Sequence, residues 1–522
     1  LNHSNAKFIA MLRIPGIILF ILCVCSFTHA QYANLKPARL VEEASRNSNP
    51  TPVSPFTLAA DRNQADVPGD IQEYSLLQLD RESLINLSGN NFPYITLSIP
   101  QEGRSSIALE LVEVSPFAEG FRIVTAPSMT PVKPAHGKHY RGIISGQPGS
   151  VAAVSFFEDE IMGFIAHPAA SGNIIIGKLE DQSSHIVYQD DQIASRFASG
   201  CDTEASDKKY TPAQLRGEIG HSRSLSDCVR LYLEADHDIY LNKGSNTGNV
   251  TNFVTGIFNQ VSTLYANEQI NTIISELVIW TQPSPYNATT TIGMLNAFTA
   301  YRQGFNGDLA QLLSYKVGGG VAYIDGLCRP NPDFSMSYSG ITSTYQNVPT
   351  YSWTVEVCAH EFGHLFGSQH THACVWNGNN TAIDGCFTTE GGCPSPGLPS
   401  GGGTVMSYCH LTSAGINFAN GFGVQPGNVM RYEVTNASCL QACPGGGDGG
   451  GGNPCTENVL TLELRTDNYP AETTWNIKNA AGAVLYSGGP YATPNTLNTV
   501  NLCLPTACYT FTINDSYGDG IC

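Results

Sequence analysis

Positive charge is scarce in this chain of 522 residues: 26 lysines and arginines face 44 aspartates and glutamates, a formal net charge of −18. That balance argues against nucleic acid and against anionic membrane surfaces as partners, since both call for cationic faces. Long apolar runs are nearly absent as well. The one candidate, Leu12 to Phe27 with Ile17-Ile18-Leu19-Phe20-Ile21-Leu22 at its centre, follows Met11 and Arg13 and leads to Thr28-His29-Ala30. It reads as a secretory signal over residues 11–30, cut after Ala30, and is short for a membrane anchor. The residues before Met11 read as translated upstream sequence. No other segment suits a bilayer, so the mature chain is expected to be exported, soluble or attached to a cell surface, without a transmembrane segment. Cysteine is missing from Gln31 to Gly200, so that region must fold on its core alone. Of the 16 cysteines, Cys23 and Cys25 leave with the signal, and the rest crowd from Cys201 onward. Disulfides in an oxidising compartment explain that usage.

What is present fills three or four globular units, with 42% hydrophobic residues. From about Ala59 to Tyr188, short apolar runs such as Tyr94 to Ile99 and Ile107 to Val112 alternate with turn residues, which predicts a β-rich domain. From Cys228 the pattern changes. A strand at Val229–Leu233 precedes a helix spaced by Phe253, Ile257, Phe258, Val261, Leu264 and Tyr265. A buried-type strand follows at Ile273–Trp280, then a helix at Thr291–Tyr301. The alternation predicts an α/β domain with a twisted mixed sheet. Glycines at 445–447 and 449–452 mark a linker over 444–454. Residues 455–522 again alternate like strands and carry Cys455, Cys503, Cys508 and Cys522. They form a small C-terminal β-module that breaks off in mid-motif and reads as truncated. Asp515 and Asp519 there suit either calcium or a glycine-rich turn.

The densest chemistry lies at His360-Glu361-Phe362-Gly363-His364-Leu365-Phe366-Gly367-Ser368-Gln369-His370. On a helix, His360 and His364 project from one face at a separation that suits one tetrahedral zinc. Glu361 beside them can hold a zinc-bound water and take its proton. Gly367 can end the helix in a conformation that resists side chains, which lets the turning chain bring His370 in as third ligand. Three imidazoles and an open fourth position describe a catalytic zinc, where a structural site would be closed.

The pattern His-Glu-x-x-His-x-x-Gly-x-x-His resembles the metzincin zinc metalloproteases, and the chain is similar to their adamalysin/reprolysin branch of secreted bacterial type. That resemblance implies an α/β (α+β) catalytic domain with a twisted mixed sheet and an active-site helix. It continues in Gly403-Thr404-Val405-Met406-Ser407-Tyr408, which looks like the family's methionine turn, with Met406 as an apolar floor under the histidines. Tyr408 matches a position where some metzincins use a tyrosine on the metal or the transition state; a packed turn tyrosine is the plainer reading. His139 to Ser150, with Ala152 to Ser155 and Gly163 to Ile165, is similar to the family's propeptides. The implied order is a β-rich propeptide over 31–225 and a protease over 226–443, as in a secreted zymogen. Gly320, Val321, Ala322 and Tyr323 match the family's substrate edge strand, to which an extended peptide adds through its backbone. His237 matches a structural position, and Cys328 with Cys439 matches a family disulfide.

Cys201, between the pro-region's last strand-like segment and the catalytic strand, is either a zinc-binding cysteine switch or an ordinary disulfide half. The polar stretch from Lys208 to Arg223, with Arg216 and Arg223, reads as an exposed, cleavable connector. His372 could touch substrate or serve as a further donor, although a hydrogen-bonded supporting role suits it better. The cysteine-bearing loop from Cys374 to Cys409 needs stapling, and Cys358 inside the active-site helix is expected as a free buried thiol. The chain departs from the family at Thr371, where adamalysins usually carry aspartate. It departs again at the remote calcium site, where Asp308 matches one ligand but Arg230 and Ala442 replace others, so calcium lacks support there. The expected function is that of a secreted zinc-dependent endopeptidase made as a zymogen and acting on proteins or peptides. A catalytically silent adhesion protein on the protease fold, or a zinc hydrolase of other substrates, are the rivals. Oligomeric state leaves no sequence signal.

Overall fold

The computed structural model describes residues 36–59, 67, 71, 73–90, 92–133, 137–179, 183–193, 200–204, 206, 208–217, 227–341, 351–443, 458–478, 484–488, 491, 494–495, 497–504 and 508–517. The signal, the glycine-rich linker, Arg223 and Asp519 lie outside them. Among the described residues, no helix is long and apolar enough to cross a membrane.

The N-terminal unit begins with helix α1 (Pro37–Asn47), strands β1 (Thr51–Val53), β2 (Phe56–Leu58) and β3 (Tyr74–Leu79), and helix α2 (Arg81–Gly89). Strands β4 (Tyr94–Gln101) and β5 (Arg104–Val114) lead to a hairpin of β6 (Phe117–Ala126) and β7 (Thr130–Val132). Then come β8 (Lys138–Ile144), β9 (Gln147–Phe156), β10 (Ile161–Ala166), β11 (Ile174–Lys178) and β12 (Ser184–Gln189). Ten of these strands make one sheet in the order β1-β4-β5-β8-β9-β10-β11-β12-β3-β2. Period-two alternation sorts its two faces. Ala152, Val154 and Phe156 join Leu77, Ile95 and Leu109 on one face, closed by Leu84 and Leu87 of α2. Val151, Ala153, Met162, Phe164 and Ile175 point the other way, into the core of the following domain.

That domain runs through α3 (Pro212–Arg216), β13 (Asp227–Ala235), α4 (His237–Asn242), α5 (Thr247–Asn267), β14 (Asn271–Trp280) and α6 (Thr291–Tyr301). It continues with β15 (Leu309–Ser314), β16 (Gly319–Ala322), β17 (Met336–Gly340), α7 (Tyr351–Leu365), α8 (Val424–Asn436) and β18 (Gln441–Ala442). Its sheet has the order β16-β17-β15-β13-β14-β6-β7, with β18 against β13. Strands β17, β15, β13, β14 and β6 are mutually parallel; β16 runs antiparallel to β17 at one edge, as β7 does to β6 at the other. Strand β14 is buried along its whole length, as a central strand covered on both faces should be. The architecture is a mixed α+β fold of curled sheets.

Two readings of the sequence change here. The hairpin β6–β7 leaves the N-terminal sheet and completes the second one; alternation reveals a strand but not its partner. The stretch from Lys208 is not an exposed connector as far as Gly217. Thr211 and Gln214 form a capping box that starts α3, and Leu215 and Tyr210 pack with Trp376 and Val429. Arg216 itself is exposed.

Disulfides join Cys228 to Cys443, Cys374 to Cys393, Cys386 to Cys409 and, as the resemblance implied, Cys328 to Cys439. Cys358 is free and buried. His237 turns its Nδ1 to the Trp280 carbonyl at 3.2 Å. Asp308 accepts from the Arg230 backbone N–H at 2.7 Å, while Arg230 donates to Asn306 at 2.5 Å. In the C-terminal module, β19 (Asn458–Arg465), β20 (Thr473–Lys478), β21 (Val484–Gly488), β22 (Leu497–Leu504) and β23 (Thr510–Asp515) form a pair and a three-stranded sheet. There Asp515 accepts from the Tyr517 N–H at 3.0 Å, a turn contact.

The fully buried carboxylate of Glu234 accepts from Trp280 Nε1, Tyr286, Tyr232 and, at 2.7 Å, Arg302 Nε. Removing the one cation leaves a buried charge. Arg302→Ala is expected to destabilise the domain by about 3–5 kcal/mol, read as a lower urea midpoint at unchanged slope.

Candidate active site

Helix α7 forms because Val355, Cys358, Ala359, Phe362 and Leu365 recur at helical spacing and are all fully buried. Its other face carries His360, Glu361 and His364, buried beneath β16 and the turn at Met406. Two glycines make room. A Cβ on Gly363 would lie 2.4 Å from the Met406 sulfur, and one on Gly320 would lie 2.1 Å from Glu361 Oε1. Gly367 has φ +96°, the left-handed turn expected of it, and the chain swings His370 back to the pair.

The three imidazoles converge. His364 Nε2 lies 3.1 Å from His360 Nε2 and 3.1 Å from His370 Nε2. Each ring's other nitrogen faces an oxygen that only accepts: Val405 O at 2.7 Å for His360, Ser368 O at 2.8 Å for His364, and a Glu390 carboxylate oxygen at 2.9 Å for His370. Every Nδ1 must therefore carry the hydrogen, and three Nε2 lone pairs face a common point. Burial, with the neighbouring imidazoles, also holds the pKa of His360 and His364 far down, and burial lowers that of His370. Neutral imidazoles are the form that binds metal. Ligands about 2.0–2.1 Å from one tetrahedral ion sit roughly 3.3 Å apart, so the residues fit a metal. The sulfur of Cys201 completes the group, 3.5 Å from His364 Nε2 and 3.4 Å from Glu361 Oε2. Burial of the sulfur and then the Glu361 charge push the Cys201 thiol pKa up.

Residues 200–203 lie along the free side of β16 as a parallel partner. Cys201 bridges Gly320, the Asp202 N–H donates to Gly320 O at 2.8 Å, and the Ala322 N–H donates to Thr203 Oγ1 at 2.9 Å. Val321 and Ala322 are buried, and Tyr323, just past the strand, packs edge-on against Phe334. Tyr408 grips this segment: its hydroxyl donates to Cys201 O and accepts from the Cys201 N–H at 2.9 Å, 3.5 Å from His370 Nε2. Met406 is fully buried, its sulfur against Gly363 of α7, and it accepts through its carbonyl from the Thr371 N–H at 3.1 Å.

One residue escaped the sequence reading. Glu390, in the loop stapled by Cys374–Cys393, reaches His370 Nδ1 at 2.9 Å and His372 Nε2 at 3.2 Å. Burial works to raise its pKa, yet the contacts from His370 and His372 prevail and hold it at about 2. His372 is fully buried and stacks on His370 with ring centres 4.9 Å apart. No local spacing announces Glu390, because it lies twenty residues beyond His370.

Residues 226–417 match the model Reprolysin_5, Metallo-peptidase family M12, and the match supports a reprolysin-like metalloprotease. Among solved structures, the crystal structure of metalloproteinase-II from Bacteroides fragilis is similar at 12% identity, with a TM-score of 0.33, over 58% of this chain and 91% of that one. A chaperone–substrate complex overlaps at 9% identity and a TM-score of 0.23, over 66% of this chain and 57% of that one.

Proposed function

We propose that the chain is a secreted zinc endopeptidase made as a zymogen, in which His360, His364 and His370 hold the metal. The observation that carries this reading is the set of three inward-facing Nε2 lone pairs with the Glu361 carboxylate beside them. Zinc, when bound, supplies Lewis-acid polarisation of a carbonyl and lowers the pKa of water. Glu361 takes the proton of the attacking water and passes it to the leaving amine. The substrate lies extended along β16, pairing with Gly320 and Ala322 through its backbone, and Tyr408 turns its hydroxyl toward the reacting carbonyl once Cys201 has gone. Four disulfides support an oxidising, extracellular setting.

Cys201 keeps the zymogen silent. Its sulfur stands within the histidine group, and residues 200–203 take the backbone positions that a substrate needs. A dication would oppose the effects that raise the thiol pKa and favour the thiolate as fourth ligand. The test is zinc content and casein cleavage of the secreted chain, before and after limited trypsin treatment. Cleavage that appears on treatment and is lost with chelation supports the zymogen; stoichiometric zinc with no cleavage in either state overturns it in favour of a binding protein. Cys201→Ser is expected to give casein cleavage from the uncut chain. Silence of that uncut variant, with activity after trypsin, would remove the thiol from the latch and leave only the segment's bulk.

A further inference from the structure

We infer that the N-terminal unit, residues 36–193, is a lasting noncovalent half of the enzyme, and that only the segment around Cys201 must leave the cleft. The inference rests on the zymogen reading above for the claim that the chain is cut at all. The docking of the two halves is argued from packing alone.

Three independent features join them. First, β6 lies parallel against β14, with Arg122 to Ala126 paired with Glu276 to Trp280. Arg122 also holds the buried Glu276 carboxylate at 2.9 Å. Removing the hairpin turns a strand that is buried along its whole length into a bare, apolar sheet edge, a template for aggregation. Second, α5 is buried on every side: fifteen of its residues, from Val250 to Ala266, are buried, polar ones such as Asn259 and Gln260 among them. A helix covered all round belongs between two layers. One layer is its own sheet; the other is the N-terminal sheet. Gly256 leaves the space that Met162 fills, since a Cβ there would lie 2.4 Å from the Met162 sulfur. Asn259, fully buried, donates to Tyr140 O, Val154 O and Ser155 Oγ and accepts from Arg141 Nε at 3.2 Å. Third, the N-terminal unit braces the segment that follows the methionine turn. Asn173 donates to Ile416 O at 3.0 Å and accepts from the Phe418 N–H at 2.9 Å, and Phe164 meets the Phe418 ring edge-on. Ile416 in turn bridges Gly403 beside Met406.

A removable inhibitor would be expected to cover a face that is stable when bare. This surface is core on both sides: Ile123, Met162 and Phe164 belong to the same apolar cluster as Leu231, Phe258 and Phe362.

The test uses the full secreted chain with a recognition site for a specific protease placed within residues 194–199 and another within 218–226. Cutting both frees residues 200–217, so they can no longer tether one half to the other. The expected result on size exclusion at micromolar concentration is one native peak holding both remaining pieces, which part only in denaturant. Elution of the 36–193 piece by itself under native conditions, with the catalytic piece either smaller or precipitated, overturns the inference. Casein cleavage is measured on the same fractions and reads the other question. An intact but inactive peak counts against the protease reading while the docking stands; an active catalytic piece free of its partner does the reverse.

Discussion

Glu361→Gln is expected to lower kcat/KM on casein by about 10²–10⁴-fold in the activated enzyme, the usual worth of a positioned general base, while zinc content is unchanged. The residue combines features that a structural carboxylate lacks. It is fully buried, its Oε1 has no hydrogen-bond partner among the described residues, and its Oε2 meets the Cys201 thiol at 3.4 Å, with the Thr203 hydroxyl also beside the carboxylate. A buried acceptor left open in this way costs stability, which makes sense where a reactant arrives to use it. While the Cys201 segment fills the cleft, burial, with the Asp202 charge adding, pushes its pKa well above the ordinary carboxylate value. The amide of the glutamine keeps the size and one acceptor but cannot take a proton. If the variant retained activity within threefold of the parent, proton transfer would have to be assigned elsewhere and Tyr408 would be the next candidate.

Much of this site was legible because its chemistry is local. The spacing of His360, His364 and Gly367 follows from helix geometry and one left-handed turn, and the helix at Thr291–Tyr301 has the bounds that its apolar spacing predicted. Strand β14 and helix α5 were equally readable, since long apolar runs and 3.6-residue periods survive any tertiary setting. What escaped was non-local. The strands at 117–132 fall in the stretch read as β-rich, but alternation says nothing about which sheet takes them. Tyr210 and Leu215 sit in a polar stretch, and their burial against Trp376 depends on a surface assembled about 160 residues later in the chain. Thr371, read as a departure from the family, turns its hydroxyl to Met406 O at 3.3 Å, a contact that no local spacing announces.

Glu390→Ala is expected to weaken zinc binding by about 10–100-fold, the range found when a metal-binding histidine loses its outer partner. Its backbone is pinned on both sides: the Cys374 N–H donates to Glu390 O at 2.7 Å, and the Glu390 N–H donates to His372 O at 3.1 Å. The Cys374–Cys393 disulfide closes the loop around it. So held, the carboxylate fixes the His370 ring with Nε2 inward and makes that nitrogen a better donor. The measurement is competition with a chromogenic chelator, which reads affinity without reference to turnover. Glu390→Gln separates the contributions, because its amide oxygen can still accept from His370 Nδ1 but carries no charge. An intermediate loss for glutamine assigns part of the affinity to the hydrogen bond and part to the charge. Parent-like affinity in Glu390→Ala would mean that stacking against His372 and the carbonyl of a neighbouring residue suffice to aim His370, and the carboxylate would then be an element of loop structure alone.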